Sequence, residues 1–413
     1  MPTHPLIVST LLLLFLLTSA MPPQATAAES KKNDLPPAAR AILVKAHQLI
    51  NDKAYAQATQ VLADFQRTAP AGQARTGEDK GWFHAEVCNT LGICLLYREK
   101  YSEAAEALTK AVESDPNHQG AQVNLGKALY ELGRHGPAAE CFLSAYTIGG
   151  NTNPEYLYFA AVARMLDKHY AQAVPLFERL LAEHPAKVQT EWRENLIHAL
   201  QGAGEHRRAL PHIKSLGESL TGDKQRQWQE ILLHQYLYLG MDEEALVYAE
   251  KLCATTPAEP KWWRALTHIH LQHNRYKEAL SSLLITSYLS PPTPEEARLT
   301  ADLYLQLGVP RQAVSRYKAM IGEKFTPQLL TNLLVALQQT GKTEEARDAL
   351  EKFAPSPLAP DLALQRADLL FTLGRYQEAA KLYNKIASTS TGKQRDRALQ
   401  MVEYAKARLA ENG

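Results

Sequence analysis

Fourteen histidines, five tryptophans and four cysteines carry most of the reactive chemistry available to this 413-residue chain, and their spacing decides what they can do. The densest run, HIHLQH, brings His268, His270 and His273 within six residues. On a helix, offsets of two and five scatter the three rings over about 200°, whereas chelation from one helix favours i and i+4. No metal site is expected. A second pattern, W-x5-H, occurs three times as Trp192 with His198, Trp228 with His234 and Trp262 with His268. Residues six apart on a helix point about 240° apart, so the tryptophans are expected to pack inward and the histidines to face outward. An imidazole row that titrates near pH ~6.5 admits a pH-responsive surface, with plain polar lining as the simpler reading.

Cys88 and Cys94, six apart on one expected helix, cannot bridge each other, and Cys141 and Cys253 complete no disulfide framework. All four read as small buried hydrophobes. G-x-x-x-x-G-K-[ST], H-E-x-x-H, C-x-x-C and G-x-S-x-G are all missing from the sequence. The chain is therefore read as a non-enzyme with no cofactor and no metal; a hydrolase with a non-obvious site is the reading of another class. The 45 basic and 44 acidic side chains leave a formal charge of +1, which supports neither nucleic-acid binding nor direct membrane binding.

The elements that must position these residues follow from an internal period. A turn residue, two variable residues, Ala, then Leu or an aromatic four later recurs at Ala58, Ala104, Ala138, Ala173, Ala209, Ala245, Ala279, Ala313, Ala346 and Ala379. The successive differences are 46, 34, 35, 36, 36, 34, 34, 33 and 33 residues. A period of ~34 with this pattern is that of paired helices, and the sequence resembles the tetratricopeptide-repeat family. With the alanine at repeat position 20, Leu91-Gly92 and Leu125-Gly126 fall at positions 7 and 8, and Pro70, Pro116, Pro257 and Pro291 at position 32. The turn glycines 133, 204, 240, 308, 341 and 374 fall at position 15 and end the first helix of each pair.

The expected fold is all-α, a right-handed superhelical solenoid of about ten helix-turn-helix units over residues 39–387. Residues 392–411, with Ala398, Met401, Val402 and Ala405 on one stripe, suit a capping helix. The first spacing exceeds a repeat by twelve residues, an excess assigned to a surface insertion at 71–82. Residues 1–27 read as a secretory signal peptide: an apolar run from Leu6 to Leu17 is followed by Ala25-Thr26-Ala27, and 28–38 form a linker. The run lacks a basic n-region, and an uncleaved anchor is the alternative. The mature protein is expected to be exported and periplasmic, meeting membranes only through partner proteins.

The resemblance implies that first-helix positions 2, 5, 6, 9, 12 and 13 line a groove for a protein partner, either an extended peptide segment or a partner helix. In that register the groove holds Glu191, Glu194, Asn195, His198, Glu230, His234, Tyr238, Lys261, Arg264, His268, Arg298 and Asp302 as a mixed-charge strip. Towards the N-terminus it holds Asn89, Tyr97, Asn124, Lys127, Tyr130, Tyr158 and Met165. The carboxylate clamp of chaperone-binding relatives is not supported, because Asn89, Ile93, Asn124, Glu155 and Phe159 occupy its five positions and only one matches. Residues from Pro260 to Tyr317 also resemble repeat proteins encoded beside TonB, ExbB and ExbD; Leu299, Asp302, Tyr304, Gly308, Pro310 and Ala313 carry the second block of that likeness. This implies an accessory to a TonB-type outer-membrane transport system. An assembly or secretion accessory for outer-membrane or exopolysaccharide export is the alternative.

Overall fold

The computed structural model describes residues 35–70, 80–323, 325–354, 358 and 360–411. The signal peptide and most of the linker and of the 71–82 insertion, assigned from sequence, lie outside the described residues.

Among the described residues all regular structure is helical. Two compact units divide the chain after Gln235. In the first, five hairpins pair α1 (Pro37–Asn51) with α2 (Tyr55–Arg67), α3 (Ala85–Tyr97) with α4 (Tyr101–Ser114) and α5 (Gln119–Glu131) with α6 (His135–Ile148). They continue as α7 (Pro154–Leu166) with α8 (Tyr170–Glu183) and α9 (Thr190–Gly202) with α10 (His206–Ser219). The division falls inside α11 (Gly222–Tyr238), which buries only Leu232, Leu233 and Gln235. Sequence periodicity had marked one unbroken array there.

The second unit holds α12 (Asp242–Thr255), then α13 (Pro260–Gln272) with α14 (Tyr276–Leu289) and α15 (Pro294–Gln306) with α16 (Pro310–Glu323). The pairs α17 (Pro327–Gln339) with α18 (Thr343–Phe353) and α19 (Pro360–Thr372) with α20 (Tyr376–Thr389) follow, and α21 (Gly392–Glu411) ends the chain.

Each hairpin turns in three residues, and the middle one is always left-handed. Glycine fills it at 133, 204, 240, 308, 341 and 374, with φ between 65° and 77°. Lys53, Glu99, Lys168 and Asn274 take the same conformation at φ 55° to 60°. The reason is the closing geometry of the first helix: Gly133 N–H donates to the Tyr130 carbonyl and Arg134 N–H to that of Leu129, so the last carbonyls are satisfied inside the turn.

All ten period-marking alanines have zero exposure. A methyl at position 20 is what lets the second helix lie close to the first. Position 8 works the same way where it is glycine: a Cβ on Gly92 would stand 2.4 Å from Leu108 Cγ, and one on Gly126 2.8 Å from Phe142 Cε1. Two of the aromatic residues that open second helices reach forward into the next hairpin. Tyr55 stacks on Tyr97 with centroids 4.5 Å apart, and the Tyr170 ring lies over Gly202. These contacts join hairpin to hairpin, and α21 offers Ala398, Val402 and Ala405 to the last of them.

Cys88, Cys94 and Cys253 are buried free thiols and Cys141 is half-buried, with burial pushing their pKa values up to about 11 or 12. Such thiols are protonated and inert at neutral pH. No described helix is long and apolar enough to cross a membrane.

Candidate binding groove

The first helices of neighbouring hairpins lie side by side, α1 beside α3, α3 beside α5 and α7 beside α9. Their groove positions therefore meet laterally. Asn124 on α5 donates from Nδ2 to Asn89 Oδ1 on α3 at 2.9 Å, and Asn195 on α9 donates to the Tyr158 hydroxyl on α7 at 3.0 Å. Each bridge fixes a side chain that would otherwise be a free rotor, so the surface is held in place before anything binds. Asn89 is 7% exposed, whereas Asn124, Lys127, Tyr130 and Tyr158 are half-buried. Burial lowers the Lys127 pKa against the opposing pull of Glu155, and raises that of Tyr130. Met165, placed in the groove by register, is buried at 5% exposure: its apolar chain follows the core.

Along α7, α9 and α11 the surface becomes acidic and aromatic. Tyr158 stacks on the buried Trp192, with centroids 5.7 Å apart and planes 26° apart. Its pKa is pushed up to about 12, first by burial and then by the Glu191 and Glu194 carboxylates, against the Asn195 hydrogen bond. Glu194 is half-buried and its own pKa is raised, first by burial and then by Glu191.

The outward histidines are of two kinds. His198 is half-buried, edge-on to Tyr170 at 5.8 Å, and burial lowers its pKa, whereas His234 and His268 are exposed. Their tryptophan companions also differ: Trp192 and Trp262 are buried and Trp228 is half-buried.

The sequence-defined strip falls on two units. Glu194, Asn195, His198, Glu230 and His234 belong to the first; Tyr238, Arg264, His268, Arg298 and Asp302 belong to the second. In the second unit two of the residues are engaged in joining helices. Arg264 donates from Nε to Glu296 Oε1 at 2.6 Å and from Nη2 to Ser290 Oγ at 2.9 Å. Asp302 accepts from the Tyr317 hydroxyl at 2.5 Å and from Asn332 Nδ2 at 3.0 Å, with Arg298 Nε 3.6 Å away. Both are partly spent on the fold. Tyr238, 61% exposed, and His268 stand outward. His270 is buried while His268 and His273 are exposed, so the HIHLQH rings do not converge.

Sequence reading missed a second titratable group. His84 and His118 cap α3 and α5, each accepting a backbone N–H at Nδ1, from Glu86 at 3.3 Å and Ala121 at 3.0 Å. His118 Nε2 lies 3.3 Å from Glu86 Oε1. The signal was available as a histidine placed directly before each of these helices. An open depression of about 470 Å³ lies elsewhere, between α8, the turn at 185–188, α9 and α10, with Arg193 and His212 among its walls.

Residues 89–154 and 331–393 match the tetratricopeptide-repeat family. The buried alanine and the left-handed turn run through all ten hairpins, so the helix pairs outside the matched segments share the geometry of those inside them. Similar solved structures include a tetratricopeptide repeat protein from Parabacteroides merdae, at 13% identity over 73% of this chain and 99% of that one, with a TM-score of 0.34. MamA from Desulfovibrio magneticus RS-1 is 14% identical over 44% of this chain and 94% of that one, at 0.35. A chain of the Naa15/Naa10 complex bound to HypK-THB is 14% identical over 90% of this chain and 67% of that one, at 0.39. Superpositions this loose carry no argument about function, which rests on the chain's own residues.

Proposed function

We propose that the chain is a non-catalytic protein-binding scaffold that holds an extended segment of a partner protein along the first helices of residues 85–235. The observation that carries this reading is the pair of lateral bridges, Asn124 to Asn89 and Asn195 to Tyr158. Partly exposed amides and phenols held in fixed positions are suited to the alternating donors and acceptors of an extended backbone, with Tyr130 and Tyr158 offering apolar faces beside them. Affinity selection with the purified chain, comparing wild type with Asn124→Ala/Asn195→Ala, tests it. Recovery of a discrete protein that the double variant loses supports the reading, and equal recovery by both counts against it.

The finer proposal is that the scaffold is exported to the periplasm and serves a TonB-type outer-membrane transport system. The apolar Leu6–Leu17 run with Ala25-Thr26-Ala27 supports export, and the likeness of residues 260–317 to repeat proteins encoded beside TonB, ExbB and ExbD supports the assignment to that system. N-terminal sequencing of the mature protein tests the first, with a start near residue 28 expected. Envelope crosslinking tests the second: a captured TonB, ExbB, ExbD or outer-membrane receptor is the expected result, and a capture set of export-assembly proteins alone would replace this proposal with an assembly role.

A further inference from the structure

The open depression of about 470 Å³ between α8, the turn at 185–188, α9 and α10 lies within the first unit, on the far side of α9 from the groove. Arg193 stands two residues before Asn195 on α9 and so points about 160° away from it, into the depression with residues of the second helices. The walls are mostly aliphatic: Leu181 and Ala182 of α8, Pro185 and Val188 of the turn, and Leu196 of α9. Glu178, Arg193 and His212 supply the polar groups.

The fold satisfies these three groups unequally. Glu178 accepts from Arg208 Nη2 at 2.5 Å, so its charge is already paired. Arg193 is half-buried and makes no hydrogen bond or ion pair among the described residues. Its guanidinium has lost part of its water with no protein carboxylate to replace it. His212 is also half-buried, and its pKa is lowered, first by burial and then by Arg193, with Arg208 pushing the same way and Glu178 opposing them. The imidazole is therefore neutral at pH 7 and can hydrogen-bond a guest beside the guanidinium.

The walls select among guests by charge and polarity. A carboxylate meets the planar fork of Arg193 with two parallel hydrogen bonds. A cation is repelled by Arg193, a doubly charged anion also meets Glu178, and a purely apolar guest strips more water from the guanidinium without pairing it. The aliphatic lining favours a hydrocarbon body behind the head group.

We propose that this depression is a binding site for a small aliphatic monocarboxylate, with the carboxylate on Arg193 and His212 and the hydrocarbon chain along Leu181, Pro185, Val188 and Leu196. Its volume falls within the ~300–1,000 Å³ of small-ligand sites. The site uses none of the groove residues, so it stands or falls separately from the partner-binding reading above.

The test is a ligand-observed NMR titration of the full chain with n-octanoate, using n-octanol, n-octylammonium and n-octyl phosphate as head-group controls. Saturable binding of octanoate is expected, with each control weaker. Arg193→Gln should weaken octanoate about tenfold. Ala182→Trp, at an exposed alanine on the wall, should abolish binding by filling the space while leaving Arg193 in place. Arg193→Glu should prefer octylammonium to octanoate, a reversal that a misfolded variant cannot produce. Octanol binding as tightly as octanoate, octyl phosphate binding more tightly, or octanoate affinity indifferent to Arg193→Gln and Ala182→Trp would overturn the assignment. No saturable binding up to ~2 mM octanoate would overturn it as well.

Discussion

Asp302 illustrates how a groove residue and a structural residue become the same atom set. Its carboxylate accepts from Tyr317 of its own hairpin and from Asn332 of the next, and Asp368 repeats the device with Tyr383 and Arg397. Tyr317 and Tyr383 are fully buried, so their hydroxyls have no water to fall back on. Asp302→Ala is therefore expected to cost about 1–3 kcal/mol by orphaning the Tyr317 hydroxyl, and Asp302→Ala/Tyr317→Phe to recover part of that loss, as read from urea midpoints.

The spacing D-x14-Y stands in both places in the sequence, but only the hairpin geometry shows that its two ends meet. The same holds for Glu86 and His118. The Glu86 pKa is lowered, chiefly by His118; the His118 pKa is raised, because Glu86 overcomes the downward push of burial. A depressed carboxylate contributes above its unfolded value of ~4.3 and is lost as pH falls through the folded value. A raised imidazole contributes fully below ~6.5 and is lost as pH rises through the folded value. The pair is thus most stabilising between about pH 4.3 and 6.5. Melting temperatures across that window should converge with those of Glu86→Gln as pH rises above it; a constant gap to pH 9 would contradict the assignment.

At the level of elements, the turns and helix contacts were the most legible part of the chain. The Ala-based period located every hairpin, because a residue that must be small to let two helices approach leaves a periodic mark. Position 15 was legible where glycine fills it and silent where Lys53, Glu99 and Lys168 adopt the same left-handed turn. Those three side chains pay for a Cβ clash that glycine lacks. Changing each to Gly is expected to raise stability by roughly 0.5–1 kcal/mol, while the equivalent change at an ordinary helix-interior lysine should lower it. The opposite is expected at position 8: Gly92→Ala and Gly126→Ala force a methyl into Leu108 and Phe142 and should cost about 1–3 kcal/mol by chemical denaturation. Groove positions were legible as addresses only. Register put Met165 and Tyr158 on comparable positions, and packing then buried the first and left the second half-exposed with a hydrogen bond to Asn195.

Within each unit, neighbouring hairpins bury apolar faces on one another, so a terminal hairpin carries a burden that one in the middle does not. Helix α21 covers the last hairpin with Ala398 and Val402, which lie in one cluster with Tyr383, Ile386 and Ala387. A chain ending at Ser390 is expected to lose hydrogen-exchange protection in α19 and α20 first, with α3 to α8 unchanged; uniform loss along the chain would mean that the helix is not a local cap. The division inside α11 was not legible, since the period runs through it unbroken and only the sparse burial along that helix marks it.

The central claim is that a partner protein lies on the first-helix face of residues 85–235. Site-specific photocrosslinking in the cells that make the protein tests it most directly, with a benzophenone amino acid at Tyr130 or His234 on that face, or at Glu106 or Gln172 on second helices. Discrete protein adducts at Tyr130 and His234, and none at Glu106 and Gln172, are the result this account predicts. Adducts confined to the second-helix positions, or none at all four, would contradict it.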